Sequence, residues 1–282
     1  MENYCVIVNQ SRDEKLAITA RVERFLTEQG RNFVTIISEA DMEEKMLGGV
    51  PPEAECAIVL GGDGTLIRVA NVLKERNIPI LGINTGTLGY LTGAEAAETE
   101  WGLTQLCQGN YRLEKRMMLS VEVNGKPMDT VLNDVVINRN GISRLLNVAV
   151  YVNDSLLDIY SGDGVIVSTP TGSTGYNLSA GGAIVQPEAE LIMITPICPH
   201  SLTSRGIIVS AADTITIEVR QGKRSQEEEA IATLDGRRVR QLSPSDRITV
   251  KRSEHVTNLI RMDERTFFET LRTKLGLVER SF

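Results

Sequence analysis

The chain has 282 residues, of which 41% are hydrophobic and 24% are charged, and its formal net charge is −7. This is ordinary globular composition, enough for two domains or one large one. The acidic balance argues against a nucleic-acid-binding protein, which needs a basic face. The four cysteines and two histidines contain no C-x-x-C pair, so we expect neither a structural zinc site nor a disulfide framework.

The N-terminal sequence MENYCVIVNQ has no basic segment and only a short apolar run. No apolar stretch in the chain approaches the roughly 20 residues that a membrane-spanning helix needs. We therefore expect no signal peptide, no membrane association and a cytoplasmic location.

The first hundred residues alternate between strand and helix patterns. Strands are predicted at YCVIVN, FVTIIS, CAIVL and IPILGIN. A helix is predicted before Gly30, and a second follows the glycine-rich stretch at residues 61–65. Such alternation indicates βαβ units and a parallel sheet, whose ligands bind at the carboxyl ends of the strands.

The middle of the chain, from about residue 115 to 253, is predicted to be mostly antiparallel β-structure because apolar and polar residues alternate there. Turns are predicted at Asn124-Gly125, Asn153-Asp154 and Asp235-Gly236, the last as a two-residue hairpin. The acidic QEEEA at 226–230 is interpreted as a solvated loop. The tail is predicted to be a helix with one apolar face formed by Phe267, Phe268, Leu271 and Leu275.

The stretch GGDGT at 61–65 places Asp63 among Gly61, Gly62 and Gly64, where a buried strand ends and a helix begins. Glycines leave backbone N–H groups accessible, and a helix N-terminus adds positive potential, which suits a phosphate group. No lysine follows, so this is not a Walker A loop. The alternative is a tight turn in which Asp63 caps the helix, although three glycines exceed what a cap requires.

Two further loops and one residue pair have both a plain and a functional interpretation. Residues 83–93 form a second glycine-rich loop, which alone is most simply a connection. Residues 160–182 combine hydroxyl side chains with glycines, a composition suited to binding sugar hydroxyls, phosphates or base edges. The adjacent Asn133 and Asp134 are by default a turn or a surface position. His200 would be a base only if a neighbouring group needed one.

Taken together, these segments resemble the NAD kinase family. The resemblance rests on GGDGT at 61–65, NTGTLGYL at 84–91, the pair at 133–134, GDGVIVSTPTGSTGYNLSAGG at 162–182 and TPICPHSL at 195–202. Diacylglycerol kinases, sphingosine kinases and phosphofructokinases have turns similar to GGDGT, so the TPTGSTGY segment is what selects NAD kinase.

The resemblance implies α/β plus all-β architecture. A Rossmann-like domain carrying GGDGT would occupy residues 1–113, and a β-rich, sandwich-like NAD-binding domain would occupy residues 114–253. Residues 254–282 would pack back on the first domain through a returning C-terminal helix.

The resemblance also implies the activity. The enzyme would phosphorylate the adenosine 2′-hydroxyl of NAD to make NADP, with ATP or polyphosphate as donor and Mg²⁺ or another divalent cation. Asp63 would act as general base or as organiser of the metal, and no cluster of metal-binding side chains is expected. We further expect a homotetramer or homodimer that binds neither nucleic acid nor membranes.

The residues carried over from the family fall into two groups. The ATP phosphates would contact Gly61, Gly62, Gly64 and Thr65. NAD would contact Asp63, Gly64, Arg68, Tyr90, Asn133, Asp134, Ser161, Asp163, Thr174, Gly175, Tyr176, Asn177, Leu178, Ser179 and Cys198. Tyr176 would pack against a ring of NAD, and Asp163 would lie at a pocket shared with a neighbouring subunit.

Three positions depart from the family pattern. Asp134 stands where glutamate is usual, Gly175 where alanine is usual, and Ser161 where a basic or aromatic residue is usual. None of these departures touches Asp63, so they bear on affinity and donor preference and not on the reaction.

Two other functions share part of this pattern. A lipid kinase of the diacylglycerol type would share GGDGT, but TPTGSTGY and the lack of an amphipathic membrane-binding stretch argue against it. A non-catalytic dinucleotide sensor would keep the loops and could lose the carboxylate, whereas Asp63 is present. A bifunctional NADP phosphatase would need an additional domain.

Overall fold

The computed structural model describes residues 1–38, 43–86, 89–141, 145–220, 230–262 and 266–276. The chain forms two compact units. The first, unit 1, comprises Met1–Arg116 and Val256–Phe282, and the second, unit 2, comprises Met117–His255.

Unit 1 begins with alternating strands and helices, which occur in the order β1 (Asn3–Asn9), α1 (Ala17–Glu28), β2 (Asn32–Ser38), α2 (Glu43–Gly49), β3 (Cys56–Gly61), α3 (Asp63–Leu73), β4 (Ile80–Asn84), β5 (Ala94–Glu95) and α4 (Thr99–Gln108). Strands β2, β1, β3 and β4 lie side by side in that order and are parallel. Beyond β4, the sheet continues with the C-terminal end of a strand from much later in the chain. In that strand Leu259 pairs with Ile80 in parallel.

Burial explains why these segments form a parallel sheet. Every residue of β3 and of β4 is buried, as expected for strands covered on both faces. Helix α3 buries Leu66, Val69 and Leu73 at helical spacing. The turn after β3 and the loop after β4 therefore leave the sheet at the same edge.

Unit 2 contains most of the remaining strands, in the order β6 (Arg112–Val123), β7 (Lys126–Val131), β8 (Asp134–Arg139), β9 (Leu146–Val152), β10 (Ser155–Gly162), β11 (Gly164–Ser168), β12 (Leu191–Ile197), β13 (Ile207–Ser210), β14 (Ile215–Val219), β15 (Ala230–Leu234), β16 (Arg238–Leu242) and β17 (Arg247–Arg261). Strands β6 and β17 each begin in one unit and end in the other. A short helix, α5 (Tyr176–Ser179), follows β11, and α6 (Phe267–Leu275) follows β17.

Two antiparallel layers make up unit 2. One is the six-stranded sheet β13-β12-β11-β8-β15-β16, and the other contains β10-β9-β14-β17. Their buried residues form one apolar cluster, in which Ile137 and Val167 of the first layer join Val150, Ile217 and Ile248 of the second. This is the arrangement of a β-sandwich.

The predicted fold class is confirmed: an α/β N-terminal part, a β-rich part and a C-terminal helix. Asn124-Gly125 and Asn153-Asp154 adopt positive φ between paired strands, as tight hairpins require. The third hairpin differs from the prediction. Leu234 pairs with Arg238, so its loop has three residues instead of two.

The predicted apolar face of the tail is only partly covered. Phe267 and Leu271 are half-buried, whereas Phe268 and Leu275 of α6 are exposed. Most of the acidic stretch at 226–230 lies outside the described residues. Among the residues that the structure describes, no helix is long and apolar enough to cross a membrane.

Candidate active site

The carboxylate of Asp63 is held by the loop that follows β4. Asp63 is the first residue of α3. Its Oδ2 accepts a hydrogen bond from the backbone N–H of Tyr90 (2.8 Å), and its Oδ1 accepts one from the N–H of Leu91 (3.1 Å). The two glycine-rich loops therefore meet on this side chain, which is half-buried and thus reachable from solvent.

Two glycines near Asp63 are required by close packing inside the protein. A Cβ on Gly89 would lie 2.1 Å from Asp63 Oδ1, and a Cβ on Gly61 would lie 2.6 Å from Thr65 Oγ1. A side chain at either position would displace the carboxylate or the first turn of α3. The role of Gly89 was not predicted, because only the folded structure brings it against Asp63.

Packing inside the protein does not require glycine at the other two positions of this turn, Gly62 and Gly64. Nothing lies within 4 Å of a Cβ placed on Gly62 or on Gly64. Gly62 has φ −104° and ψ −173°, an extended conformation that any residue adopts. Both glycines therefore leave space open at the N-terminus of α3, where backbone N–H groups and the helix dipole favour an anion.

The remaining predicted residues of unit 1 lie near this turn in the sequence or contact it. Thr65 is buried, and its Oγ1 accepts a hydrogen bond from Asn9 Nδ2 (2.9 Å) at the end of β1. Arg68 is half-buried on α3.

The ring of Tyr90 lies against α6. Its centroid is 6.3 Å from that of the Phe267 ring and 4.4 Å from Lys274 Nζ. Burial and the charge of Asp63 raise the pKa of Tyr90.

In unit 2, Asn133 and Asp134 are fixed by the hairpin loop that contains Asp235. The Asp235 carboxylate accepts hydrogen bonds from the backbone N–H groups of Leu132 (2.8 Å), Asn133 (2.8 Å) and Asp134 (3.1 Å). Asp235 was predicted to be structural. The Asp-Gly pair predicts a turn, but it does not predict that the turn accepts hydrogen bonds from the start of β8.

The side chain of Asp134 is buried, and Asn133 is half-buried with its Oδ1 atom enclosed. Asp134 is 6% exposed, and burial, followed by the charge of Asp235, raises its pKa to about 7. The Oδ1 atom of Asn133 is buried without a hydrogen-bond partner among the described residues. Buried polar atoms are normally satisfied, so this oxygen is a position where a hydrogen-bond donor of a bound ligand would supply the missing partner.

Most hydroxyls of the segment 168–182 are engaged inside the protein. Thr169 Oγ1 donates to Leu132 O (2.6 Å), and Ser173 Oγ donates to Val185 O (3.2 Å). Asn177 is fully buried, with its amide bonded to Ser173 O, Ala183 O and Thr195 Oγ1. Only its backbone could therefore contact a ligand.

The accessible part of this segment is the turn around α5. Tyr176 and Ser179 are exposed, whereas Thr174, Gly175 and Leu178 are half-buried. A Cβ on Gly175 would lie 3.5 Å from Asn133 Nδ2 and 3.9 Å from Asp134 Oδ2. The structure thus brings this turn against the pair at 133–134.

The remaining predicted residues of unit 2 surround the GDG stretch. Asp163 Oδ1 accepts a hydrogen bond from Arg139 Nε (2.8 Å), and the Ser161 carbonyl accepts one from the N–H of His200 (2.8 Å). Cys198 is exposed and has φ 44°. Sequence reasoning missed Arg139, because an arginine near the end of a strand carries no motif.

An α/β unit with an oriented carboxylate and open glycines at the carboxyl ends of its strands is suited to phosphate-bearing ligands such as nucleotides. Comparison with known proteins is more specific. Residues 49–111 match the ATP-NAD kinase N-terminal domain, and residues 132–262 match the ATP-NAD kinase C-terminal domain.

The chain is similar to known NAD kinases over almost its whole length. The chain is 46% identical to an NAD kinase of Lachnoclostridium phytofermentans over 98% of this chain and 99% of that protein. It is 45% identical to an NAD kinase of Geobacter sulfurreducens over 89% and 91%, respectively. The chain belongs to the NAD kinase family.

Two solved structures have the same fold. Yeast NADH kinase complexed with NADH matches with a TM-score of 0.84 at 20% identity, covering 99% of this chain and 89% of that one. An NAD kinase from Archaeoglobus fulgidus in complex with ATP matches with a TM-score of 0.77 at 26% identity, covering 98% and 99%. The protein is accordingly an enzyme that phosphorylates NAD with ATP to give NADP.

Proposed function

We propose that Asp63 is the catalytic base of this reaction. Its carboxylate would take the proton of the adenosine 2′-hydroxyl as that oxygen attacks the γ-phosphorus of ATP. The bond between the γ-phosphorus and the bridging oxygen breaks, and ADP leaves. The observation that carries the proposal is the pair of backbone N–H bonds from Tyr90 and Leu91, which orient the carboxylate of this half-buried residue.

We propose that the ATP phosphates approach the turn at Gly61, Gly62, Gly64 and Thr65. The open space beside Gly62 and Gly64 supports this, because neither backbone conformation nor internal packing explains the two glycines. Phosphoryl transfer depends mainly on positioning and charge neutralisation, and N–H groups at a helix N-terminus contribute to both. Polyphosphate presents the same phosphate chemistry, so it is a second candidate donor.

A divalent cation fits this site as part of the donor. Among the described residues no group of three or more histidine, cysteine or acidic side chains could hold a metal. Mg²⁺ is commonly held by one or two carboxylates together with substrate phosphates. Asp63 fits that role, and the cation would neutralise phosphate charge. Asp63 as organiser of the metal is therefore the competing assignment to Asp63 as base.

For NAD, we propose a site formed in unit 2 by Asn133, Asp134 and the turn at 174–179. The unpartnered Asn133 Oδ1 supports it, as does the exposed ring of Tyr176, which could stack on a base. Ser161, Asp163 and Cys198 would complete it. Within unit 1, Arg68 and Tyr90 are proposed NAD contacts beside Asp63. We further propose a cytoplasmic homotetramer or homodimer, in which Asp163 faces a neighbouring subunit.

The test is NADP formation by wild type, Asp63→Asn and a control, Glu100→Gln. Glu100 is likewise an acid in the first turn of a helix in unit 1. We expect Asp63→Asn to lose about 10²–10⁴ in rate while still binding NAD, and Glu100→Gln to be fully active. An active Asp63→Asn enzyme would refute the catalytic role. Recovery of the variant by excess Mg²⁺ would favour the metal-organising role.

A further inference from the structure

Unit 1 contains a largely buried ion pair that the proposed chemistry does not use. Glu114 Oε2 lies 3.4 Å from Arg261 Nε, and the two side chains are 7% and 12% exposed. Glu114 Oε1 also accepts a hydrogen bond from Arg116 Nε (2.6 Å). Burial favours a raised pKa for Glu114, but the two guanidiniums outweigh it and lower the pKa. Glu114 is thus charged and fixes the orientation of Arg261.

The other nitrogens of Arg261 bind the loop that holds Asp63. Arg261 Nη1 donates to the carbonyl of Thr92 (2.5 Å), and Nη2 donates to the carbonyl of Tyr90 (2.6 Å). The guanidinium presents its donors in a rigid, planar fork, so it holds two carbonyls of one short segment at a fixed separation.

One peptide group connects Arg261 to the carboxylate. The Tyr90 carbonyl and the Leu91 N–H belong to the same planar peptide unit, and they point in opposite directions across it. Arg261 binds the carbonyl end, and Asp63 Oδ1 binds the N–H end. Rotation of this peptide would break both bonds, so Arg261 opposes any rotation that would release the carboxylate.

We infer that Arg261, oriented by Glu114, is a positioning residue that fixes the Tyr90–Leu91 peptide and thereby aims the carboxylate of Asp63. This inference rests on the proposed function, because it matters for catalysis only if Asp63 is a catalytic residue. Arg261 itself contacts no reacting atom in this assignment. Misplacement of a catalytic group by about 1 Å can cost on the order of 10²-fold in rate.

The experiment compares Arg261→Met and Arg261→Lys with a matched control, Arg76→Met. Arg76 is also a half-buried arginine of unit 1 that donates to backbone carbonyls, those of Val50 (2.9 Å) and Pro52 (2.9 Å). The Arg76 variant therefore measures how much stability is lost when an arginine that binds backbone carbonyls is removed away from Asp63. The measurements are kcat, the KM values for NAD and ATP, and hydrogen exchange of the Tyr90 and Leu91 amides.

We expect Arg261→Met to lower kcat by about 10–100-fold with both KM values changed by less than about threefold. The Tyr90 and Leu91 amides should exchange faster. Arg261→Lys retains the charge and one donor group, so it should restore part of kcat and of the protection. Arg76→Met should lower the melting temperature and leave kcat and both amides unchanged.

Two results would overturn the inference, and they differ from each other. Unchanged exchange of both amides in the Arg261 variants would show that Arg261 does not fix the peptide, whatever Asp63 does. An active Asp63→Asn enzyme would instead remove the catalytic role of Asp63 and, with it, the functional meaning of Arg261. If Arg261→Met fails to fold, the exchange and kcat of Arg261→Lys decide the first question.

Discussion

The atoms around each glycine near Asp63 show which glycines are required for packing and which leave space for a ligand. Gly61 and Gly89 have neighbours that a Cβ would strike, whereas Gly62 and Gly64 have none. In the sequence, Gly61, Gly62 and Gly64 are equivalent candidates for phosphate contact, because residue type alone does not show what surrounds a position. Packing separates them and assigns the open pair to the proposed phosphate site.

This separation predicts the effect of Gly64→Ala. Alanine should stabilise α3 by up to about 1 kcal/mol, yet its methyl group would occupy the space proposed for phosphate. We expect a raised KM for ATP and at least about tenfold lower kcat/KM, which corresponds to about 1.4 kcal/mol. Steady-state kinetics and urea unfolding measure the two effects.

Gly48→Ala is the control, because Gly48 is also a helical glycine of unit 1 with open surroundings. It should gain stability and keep full activity. Equal activity of the Gly64 and Gly48 variants would argue against phosphate binding at this turn.

At the level of secondary-structure elements, the loop between β15 and β16 fixes the start of β8. Three backbone N–H groups converge on the Asp235 carboxylate. Hydrogen bonds to a charged group contribute about 1.5–3 kcal/mol each. The hairpin thus sets the position of Asn133 and Asp134, which we propose as NAD ligands.

Asp235→Ala should therefore weaken both stability and NAD binding. We expect unit 2 to lose at least about 3 kcal/mol of unfolding free energy, less than the full sum of three bonds because Asp235 is half-buried and water can replace part of them. The Kd for NAD should rise at least about tenfold, by roughly 1.4 kcal/mol. Calorimetric titration with NAD and denaturant unfolding provide the two numbers.

Asp213→Ala provides the comparison for that variant. Asp213 also accepts a backbone N–H in a turn of unit 2, that of Ser210 (2.9 Å). It should lower stability and leave NAD affinity unchanged. If Asp235→Ala binds NAD as tightly as Asp213→Ala does, the hairpin does not position the site.

For the molecule as a whole, the two units carry buried carboxyl groups with opposite responses to pH. The pKa of Glu114 in unit 1 is lowered, so its contribution to stability is present above its unfolded value of about 4.3 and is lost at lower pH. The pKa of Asp134 in unit 2 is raised to about 7. Ionising it opposes folding, so stability decreases as pH rises from about 4 to 7.

We therefore predict that unit 2 is less stable at pH 8 than at pH 5, by about 2–3 kcal/mol, because each pKa unit corresponds to about 1.4 kcal/mol. Asp134→Asn should remove this difference, since asparagine does not ionise. Calorimetric unfolding at both pH values tests this. An unchanged pH dependence in Asp134→Asn would show that another group is responsible.

Local sequence patterns determined the elements of this protein. Apolar runs predicted β1 to β4, and GGDGT with TPTGSTGY predicted the family. Paired turn residues predicted two hairpins and the position, but not the loop length, of a third. These features depend on residues close together in the chain, where periodicity and backbone preference act directly.

Only the tertiary structure decided which groups support the site. Arg261 and Tyr90 are 171 positions apart, and Asp235 and Asn133 are 102 apart. No local pattern encodes such pairs, because they form only when distant strands and loops are brought together. For the same reason the sequence does not reveal that the side chain of Asn177 is fully buried and internally hydrogen-bonded. An asparagine is equally suited to contacting a ligand and to bonding inside the protein.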